Sequence, residues 1–267
     1  MRPAPFTLYR PGTVPEVMVA LGDGGPVARL LAGGQSLVPQ LTRRELAVDR
    51  LIDLGGVSAL RSVQVEADSS AVAEARLGAM VTVATLEDDP RIGRRWPLLA
   101  ECARHVGHRP IRARSTVGGA LAFADPPAEV PLALAVLGAE VEIAGPGSNL
   151  RVDAGSRPLL PGELITAVTI PDLAVVGWGF HEVSRRFNDR ALAAAAVLIT
   201  RRDGRSILRL GTATAALPPQ VVELPEWDLT GEIDRLDSID DELTRRALRE
   251  SVRRAIVKAR ERAGADA

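Results

Sequence analysis

Short apolar segments bounded by turn residues run along most of the chain, and they do not alternate regularly between strand-like and helix-like patterns. Over residues 56–173 four segments are typical of strands, while the segment RIGRRWPLLAECARHV places its apolar residues on one helical face. Strands and helices mixed in this way predict an α+β fold. The four strand-like segments are LRSVQVEA, EARLGAMVTVATL, AEVEIAG and ELITAVTIP.

The two ends of the chain differ from this middle part. Residues 1–55 predict a small β-α-β-like unit, with a helix over Val14–Leu21 and short strands in ARLLA and AVDRLIDLGG. After a boundary near Pro171, the segments GWGFHEVSRR, ALAAAAVLITRRDG and ILRLGTATAAL predict an antiparallel sheet. A final helix is expected from about Ile239 to Glu261, with arginines that suit its C-terminal end.

The composition is that of an ordinary globular protein. The chain has 267 residues, 46% hydrophobic and 25% charged, with a net charge of −1. This near-neutral balance gives no overall field that would attract nucleic acid. No apolar run reaches the ~18 residues that a membrane span needs, and no signal peptide is evident at the N-terminus, so we expect a cytoplasmic protein.

The chain offers few residues for catalysis or metal binding. Its single cysteine, Cys102, excludes an internal disulfide and a four-thiolate cluster built from this chain alone. Cys102 lies on the apolar face of the predicted middle helix, where we expect an inert thiol. Three scattered histidines suggest no metal site, and we see no Ser-His-Asp arrangement. We therefore assign no catalytic residue to this chain.

Two Gly-Gly pairs interrupt apolar segments, in LLAGGQSLVPQL and in RSTVGGALAFADPPAE. One explanation is a tight turn that requires positive φ, and the other is a row of bare backbone amides that binds an anion. Two such loops, each with a hydroxyl residue beside the glycines, favour a diphosphate ligand. The chain contains neither a G-x-G-x-x-G fingerprint nor a P-loop. The loop residues are Gly33, Gly34 and Ser36, and Thr116, Gly118 and Gly119.

The motifs AGGQSL and TVGG, linked by RWPLLAECARHVGHRPIRARSTVGGALAFADPPAEVPLAL, resemble the FAD-binding medium subunit of molybdenum hydroxylases. That family includes the flavoprotein subunits of carbon monoxide dehydrogenase and xanthine dehydrogenase. The resemblance extends from PAPF to FHEVSRRFNDRALAAAAV, about three quarters of the chain. It implies a two-subdomain FAD-binding domain of the vanillyl-alcohol-oxidase type over residues 1–173, divided into 1–55 and 56–173. A small α+β C-terminal domain would occupy residues 174–267.

The resemblance also implies a set of cofactor-binding residues. Two loops would hold the FAD diphosphate, two acidic residues would lie at the FAD site with Glu129 on the adenosine ribose side, and two apolar residues would flank the adenine. In that order they are Ala32, Gly33, Gly34, Gln35, Ser36 and Leu37; Thr116, Val117, Gly118 and Gly119; Asp125 and Glu129; and Leu164 and Ile165.

Several positions depart from the family pattern. Arg190 stands where the family usually has an aromatic residue packed near the isoalloxazine. We expect Arg190 either to stack on the flavin ring, or to point to solvent or pair with Asp189 or Glu182. The sequence over residues 113–115 replaces the common Asn-Arg-Gly, and PPQVVELPEWDLTG does not match the usual continuation.

The resemblance implies an electron-transfer subunit that works inside a heteromeric complex. A large subunit would carry the molybdenum cofactor, a small subunit would carry 2Fe-2S clusters, and FAD on this chain would pass electrons to an external acceptor. The single cysteine agrees with clusters held by a partner. A scaffold or assembly subunit with weak or no flavin binding is the alternative. A stand-alone flavin reductase or oxidase is a third, weaker one, because no substrate site is evident.

Overall fold

The computed structural model describes residues 3–23, 25–65, 74–186, 189–202, 204–225, 236 and 239–265. Its N-terminal part contains a three-stranded parallel sheet in the order β1-β3-β2. Helices α1 and α2 make the two crossovers, as the parallel pairing requires. The elements are β1 (Thr7–Tyr9), α1 (Val14–Asp23), β2 (Ala28–Leu31), α2 (Leu37–Arg43) and β3 (Arg50–Asp53).

The middle part is built on a five-stranded antiparallel sheet in the order β4-β5-β8-β6-β7. Its central strand pairs with both neighbours at Val168, which lies opposite Leu77 on one side and Val141 on the other. The strands are β4 (Val63–Val65), β5 (Glu74–Gly78), β6 (Glu140–Gly145), β7 (Ser148–Asp153) and β8 (Leu164–Pro171).

Helices fill the connection between β5 and β6, where every residue is described. Most of them are short, and three begin at a residue whose side-chain oxygen caps the first turn: Thr82, Asp89 and Thr116. The helices are α3 (Val83–Asp88), α4 (Pro90–Arg95), α5 (Pro97–His105), α6 (Arg109–Arg112), α7 (Val117–Phe123) and α8 (Glu129–Leu137).

Two sequence predictions in this region are wrong in detail. The strand expected through EARLGAMVTVATL ends at Gly78, and its second half forms α3 because the Thr82 side chain accepts a hydrogen bond from Thr85 N. The single helix expected over residues 91–106 is split into α4 and α5 at Trp96. Pro97 explains this break, since a proline lacks the amide hydrogen that a continuous helix needs and restricts the preceding residue.

The C-terminal part is the predicted antiparallel sheet, in the order β12-β11-β10-β9, with a long helix packed on β9 and β10. The elements are β9 (Val175–Ser184), β10 (Ala191–Arg202), β11 (Arg205–Thr214), β12 (Gln220–Pro225) and α9 (Glu242–Ala265). Residues 226–231 of the divergent PPQVVELPEWDLTG segment lie outside the described residues.

The largest hydrophobic core joins the middle and C-terminal parts. Leu132 and Val136 of α8 belong to the same buried cluster as Phe180 of β9, and Ala194 and Ala196 of β10. The opposite face of the C-terminal sheet packs against α9 in a separate cluster. In the described ranges no helix is long and apolar enough to cross a bilayer.

Candidate cofactor-binding cleft

A cleft of about 960 Å³ opens where the three parts of the chain meet. Its walls come from β2 and the loop after it, from the region of α7 and α8, from the loop before β8, and from the connection between β9 and β10. The residues predicted to bind the cofactor all line this cleft, with the exception of Val117. The Val117 side chain is fully buried and belongs to the main core instead.

Close packing of backbone explains two of the glycines. A Cβ atom on Gly33 would lie 2.0 Å from the carbonyl oxygen of Arg114, directly before the second loop. A Cβ atom on Gly118 would lie 2.6 Å from the Cβ atom of Ala79. Real Cβ atoms do not approach so closely, so neither position accepts a larger residue without a shift of the backbone. Glycine is therefore required at these two positions because neighbouring protein atoms occupy the space that a Cβ atom would need.

The second glycine loop (residues 116–119) does not offer the row of free amides that the sequence predicts. Its glycines lie in the first turn of α7, and the N–H groups of Val117, Gly118 and Gly119 each have a protein acceptor. Val117 N donates to Val81 O at 3.0 Å, and Gly118 N donates to Ala79 O at 2.8 Å. Gly119 N donates to the Thr116 hydroxyl at 3.1 Å. This loop forms a wall of the cleft, and its predicted contact with the diphosphate stays a prediction.

The first glycine loop (residues 32–37) has the opposite character. Within the part of the chain that the structure describes, the amides of Gly33, Gly34, Gln35 and Ser36 have no hydrogen-bond acceptor. Gly34 has a φ of 76°, a left-handed conformation that glycine adopts without strain. Four successive amides at the wall of a cleft are suited to an anionic group, because unpaired N–H groups are costly to leave without a partner.

The loop before β8 forms another wall of the cleft. Glu163 fixes it, since its carboxylate accepts hydrogen bonds from Arg157 at 2.8 and 2.9 Å and from Leu160 N at 2.8 Å. The Arg157 hydrogen bonds lower the pKa of Glu163. Leu164 and Ile165, the two predicted adenine neighbours, are almost fully buried where β8 begins. They give this end of the cleft an apolar surface.

Asp125 and Arg190 lie together at the cleft. The Arg190 side chain donates to Asp125 through both Nη2, at 2.7 Å, and Nε, at 3.0 Å. Arg190 therefore pairs with a predicted site residue, and not with Asp189 or Glu182, the partners named in one of the two alternatives. Phe187 and Asn188 of the same motif lie outside the described residues.

Glu129 is the first residue of α8 and reaches the cleft with only 9% of its surface exposed. Burial raises the pKa of its carboxyl to about 7, and the nearby charges of Glu182 and Asp125 act in the same direction. A hydrogen bond to its own backbone amide and the charge of His105 act in the opposite direction. Glu129 therefore holds its proton to a higher pH than an ordinary glutamate does.

A cluster of charged side chains connects α5 to β9 behind Glu129. His105 lies between Glu182, 3.3 Å from Nδ1, and Glu101, 3.8 Å from Nε2. Burial alone would lower the pKa of His105, but the two carboxylates together raise it to about 9. The sequence did not reveal this cluster, because Glu182 comes from a distant strand. Across the described residues no group of side chains forms a metal site.

Several cleft residues were not predicted from the sequence. Most of them are apolar, and three of them, Ile111, Phe123 and Leu160, are large side chains that remain exposed. The exposure of a large apolar side chain is the feature that identifies these three residues, and exposure can be read only from the fold. The unpredicted residues include Arg29, Gln40, Met80, Gly107, Ile111, Phe123, Pro127, Leu159, Leu160 and Pro161.

Comparison with known proteins agrees with this architecture. Residues 4–173 match the family model described as the FAD binding domain in molybdopterin dehydrogenase. The chain is 36% identical over 208 residues to the 6-hydroxypseudooxynicotine dehydrogenase complex subunit alpha of Paenarthrobacter nicotinovorans, covering 75% of this chain and 69% of the relative. It is 30% identical over 235 residues to the carbon monoxide dehydrogenase medium chain of Afipia carboxidovorans, covering 85% and 78%.

Solved structures show the same fold over nearly the whole chain. A chain of quinoline 2-oxidoreductase from Pseudomonas putida 86 superposes with a TM-score of 0.84 at 30% identity, covering 98% of this chain and 99% of the other. A chain of carbon monoxide dehydrogenase from Hydrogenophaga pseudoflava gives a TM-score of 0.87 at 25% identity, with the same coverage. The predicted α+β fold of a flavoprotein medium subunit is thereby confirmed.

Proposed function

Because this chain belongs to the family of FAD-binding domains of molybdopterin dehydrogenases, we propose that its cleft holds FAD and passes electrons from an iron–sulfur subunit to an external acceptor. The chain is a medium, FAD-binding subunit of the molybdenum hydroxylase type. The electron path, the acceptor and the residues that contact FAD are the proposed part.

The observation that carries this proposal is the row of free amides from Gly33 to Ser36 at the wall of a cleft with apolar ends. A dinucleotide needs both kinds of surface, since its diphosphate requires hydrogen-bond donors and its rings require apolar contact. The cleft volume of about 960 Å³ is at the upper end of the range of small-molecule sites, which suits a ligand as large as FAD. The residues present therefore fit the cofactor.

When bound, FAD supplies the redox chemistry, since its isoalloxazine accepts electrons and gives them to an acceptor. The chain itself supplies binding and orientation. The first glycine loop would donate hydrogen bonds to the diphosphate. The segment that leads into the second glycine loop packs against the first loop, since Arg114 O lies next to Gly33. Leu164 and Ile165 offer apolar contact at the adenine end. No residue of the chain is assigned to acid–base or nucleophilic catalysis.

We propose two partner subunits, a large one with the molybdenum cofactor and a small one with 2Fe-2S clusters. The relatives support this, because they are named as subunits or medium chains of dehydrogenase complexes. The single cysteine supports it too, since this chain alone lacks the thiolates that such a cluster needs. The substrate of the complex is a property of the large subunit and is not assigned.

A stopped-flow experiment with the purified complex tests the electron path. The complex is first stripped of FAD, and a chemical reductant is then added to reduce its iron–sulfur clusters. We expect the clusters of the stripped complex to stay reduced after an electron acceptor is added, and to be reoxidised rapidly once FAD is restored. Equal rates of cluster reoxidation with and without FAD would show that electrons leave by another route.

The alternative of a scaffold subunit predicts a different result in a simpler measurement. A scaffold without flavin would be colourless after purification and would leave the rate of acceptor reduction unchanged when FAD is added. The free amides of the first glycine loop favour the flavoprotein. A chain that had lost the ligand would be more stable if these N–H groups had protein acceptors, and among the described residues they have none.

A further inference from the structure

One carboxyl group on the wall of the cleft forms no hydrogen bond with a cation among the described residues. Glu129 lies at the start of α8, is nine-tenths buried, and borders the cleft. Most acidic residues around it are paired: Asp125 with Arg190, and Glu163 with Arg157. Within the described residues Glu129 forms no ion pair, so its charge would be buried without a partner if it were ionised.

Charged groups lie near Glu129 on several neighbouring elements, and of these Glu182 and Asp125 raise its pKa while His105 lowers it. Helix α5 contributes Glu101, Cys102 and His105, strand β9 contributes Glu182, and helix α9 contributes Lys258. Glu101 is also paired with Arg104, and Glu182 with His105. The second carboxylate oxygen of Glu182 has no hydrogen-bond partner among the described residues. An ionised Glu129 would therefore add a buried negative charge near Glu182 and Asp125, with no cation in ion-pair contact among the described residues.

From this geometry we infer that Glu129 is a proton-binding site in the cofactor cleft, and that FAD binding is coupled to proton uptake by this carboxyl group. The inference rests on the proposed position of FAD in the cleft. The diphosphate brings two negative charges into a cavity that Glu129 borders, and like charges favour the protonated form of a carboxyl group. The complex therefore holds the Glu129 proton more tightly than the free chain does.

The direction of the pH effect follows from this linkage. In the free chain the pKa of Glu129 is about 7, so below that value the group is protonated before and after FAD binds, and the affinity does not depend on it. Above it, binding must take a proton from solution, and the FAD affinity falls by up to about tenfold for each pH unit. His105 and His181, with pKa values of about 9 and about 4, titrate outside this window.

Isothermal titration of FAD into the flavin-free full-length chain, in buffers of different ionisation enthalpy, measures the proton uptake directly. We expect uptake near zero at pH 6 and approaching one proton at pH 8, together with a Kd about tenfold higher at pH 8. Glu129→Gln, which is permanently neutral, should bind FAD with no proton uptake at either pH. Glu223→Gln, on strand β12 and outside the cleft, is the matched control and should retain the uptake.

The outcomes separate this inference from the proposed function. FAD binding by the wild-type chain without proton uptake at pH 8, or uptake that persists in Glu129→Gln, would overturn the assignment of Glu129 and leave the cofactor site intact. A chain that is folded yet binds no FAD at any pH would overturn both. Loss of uptake in Glu129→Gln with retained binding is the result that supports it.

Discussion

Arg190 donates through Nε and Nη2 to both carboxylate oxygens of Asp125 and so joins the β9–β10 connection to the loop between α7 and α8 at the cleft. The same guanidinium also donates to Ala215 O at 3.3 Å. Half of the Arg190 side chain remains exposed, so the pair should stabilise the fold by less than about 1 kcal/mol. Its larger effect should be on the charge that a ligand in the cleft meets.

Substitutions at these two residues should change FAD affinity in opposite directions. Asp125→Asn removes a negative charge from the cleft and releases the Arg190 cation, so we expect the Kd for FAD to fall by about three- to tenfold. Arg190→Gln leaves Asp125 without its cation, and the Kd should rise by a similar factor. Fluorescence titration at low and high salt measures both, and the difference should shrink at high salt. A change in the same direction for both variants would contradict this.

The first glycine loop should be sensitive to a negative charge. Gln35→Glu preserves the size of the side chain but places a carboxylate beside the free amides, so we expect FAD binding at least about tenfold weaker. Gln64→Glu makes the same change on the exposed edge strand β4, outside the cleft, and should leave the affinity unaltered. Equal affinities for the two variants would show that the diphosphate lies elsewhere.

Two glycines of α7 and α4 should respond to alanine with opposite signs. Gly118→Ala places a Cβ atom 2.6 Å from Ala79 Cβ and 2.9 Å from Ala79 O, and should lower the free energy of unfolding by about 1–3 kcal/mol. Gly93 has open space around its Cβ position, and Gly93→Ala should raise the free energy of unfolding by about 0.5–1 kcal/mol through helix propensity. Urea unfolding of both variants is the measurement, and a neutral Gly118→Ala would refute the packing argument.

The His105 cluster should make stability depend on pH in a definite way. Because the pKa of His105 is about 9 in the folded chain and 6.5 is its ordinary value, its stabilising effect is complete below about pH 6.5 and is lost as the pH rises through 9. His105→Gln should therefore cost on the order of 1–2 kcal/mol at pH 6, after allowance for solvent screening, and much less at pH 10. A stability difference that stays constant between these pH values would show that His105 acts through packing alone.

The residues that the sequence predicts to bind the cofactor lie together along one cleft, apart from Val117. The two Gly-Gly motifs were predicted to serve one site, and in the fold Gly33 does pack against the segment that leads into the second motif. Which amides remain free was not visible in the sequence. The acceptors for Val117 N and Gly118 N are carbonyl groups of Val81 and Ala79, and only the fold brings those carbonyls to the second motif.

The errors in secondary structure have local causes. The β-branched residues of MVTVATL favour a strand by propensity, but Thr82 caps a helix there and overrides that preference. Pro97 is a helix breaker that the sequence shows, but the prediction ran one continuous helix through it. The cluster around His105 was not predicted at all, since Glu182 reaches His105 from a strand 77 residues later.

The close contact between α8 and the C-terminal sheet limits how parts of such chains can be exchanged. A Cβ atom on Gly211 of β11 would lie 2.3 Å from the Val136 side chain of α8, and Ala194 and Ala196 of β10 are fully buried in the same core. A hybrid protein joined at residue 173, the predicted end of the FAD-binding domain, would therefore combine α8 of one protein with the C-terminal sheet of another. In this chain those two surfaces pack closely against each other. Successful recombination between relatives would need to keep α8 together with the small residues of β10 and β11 that it touches.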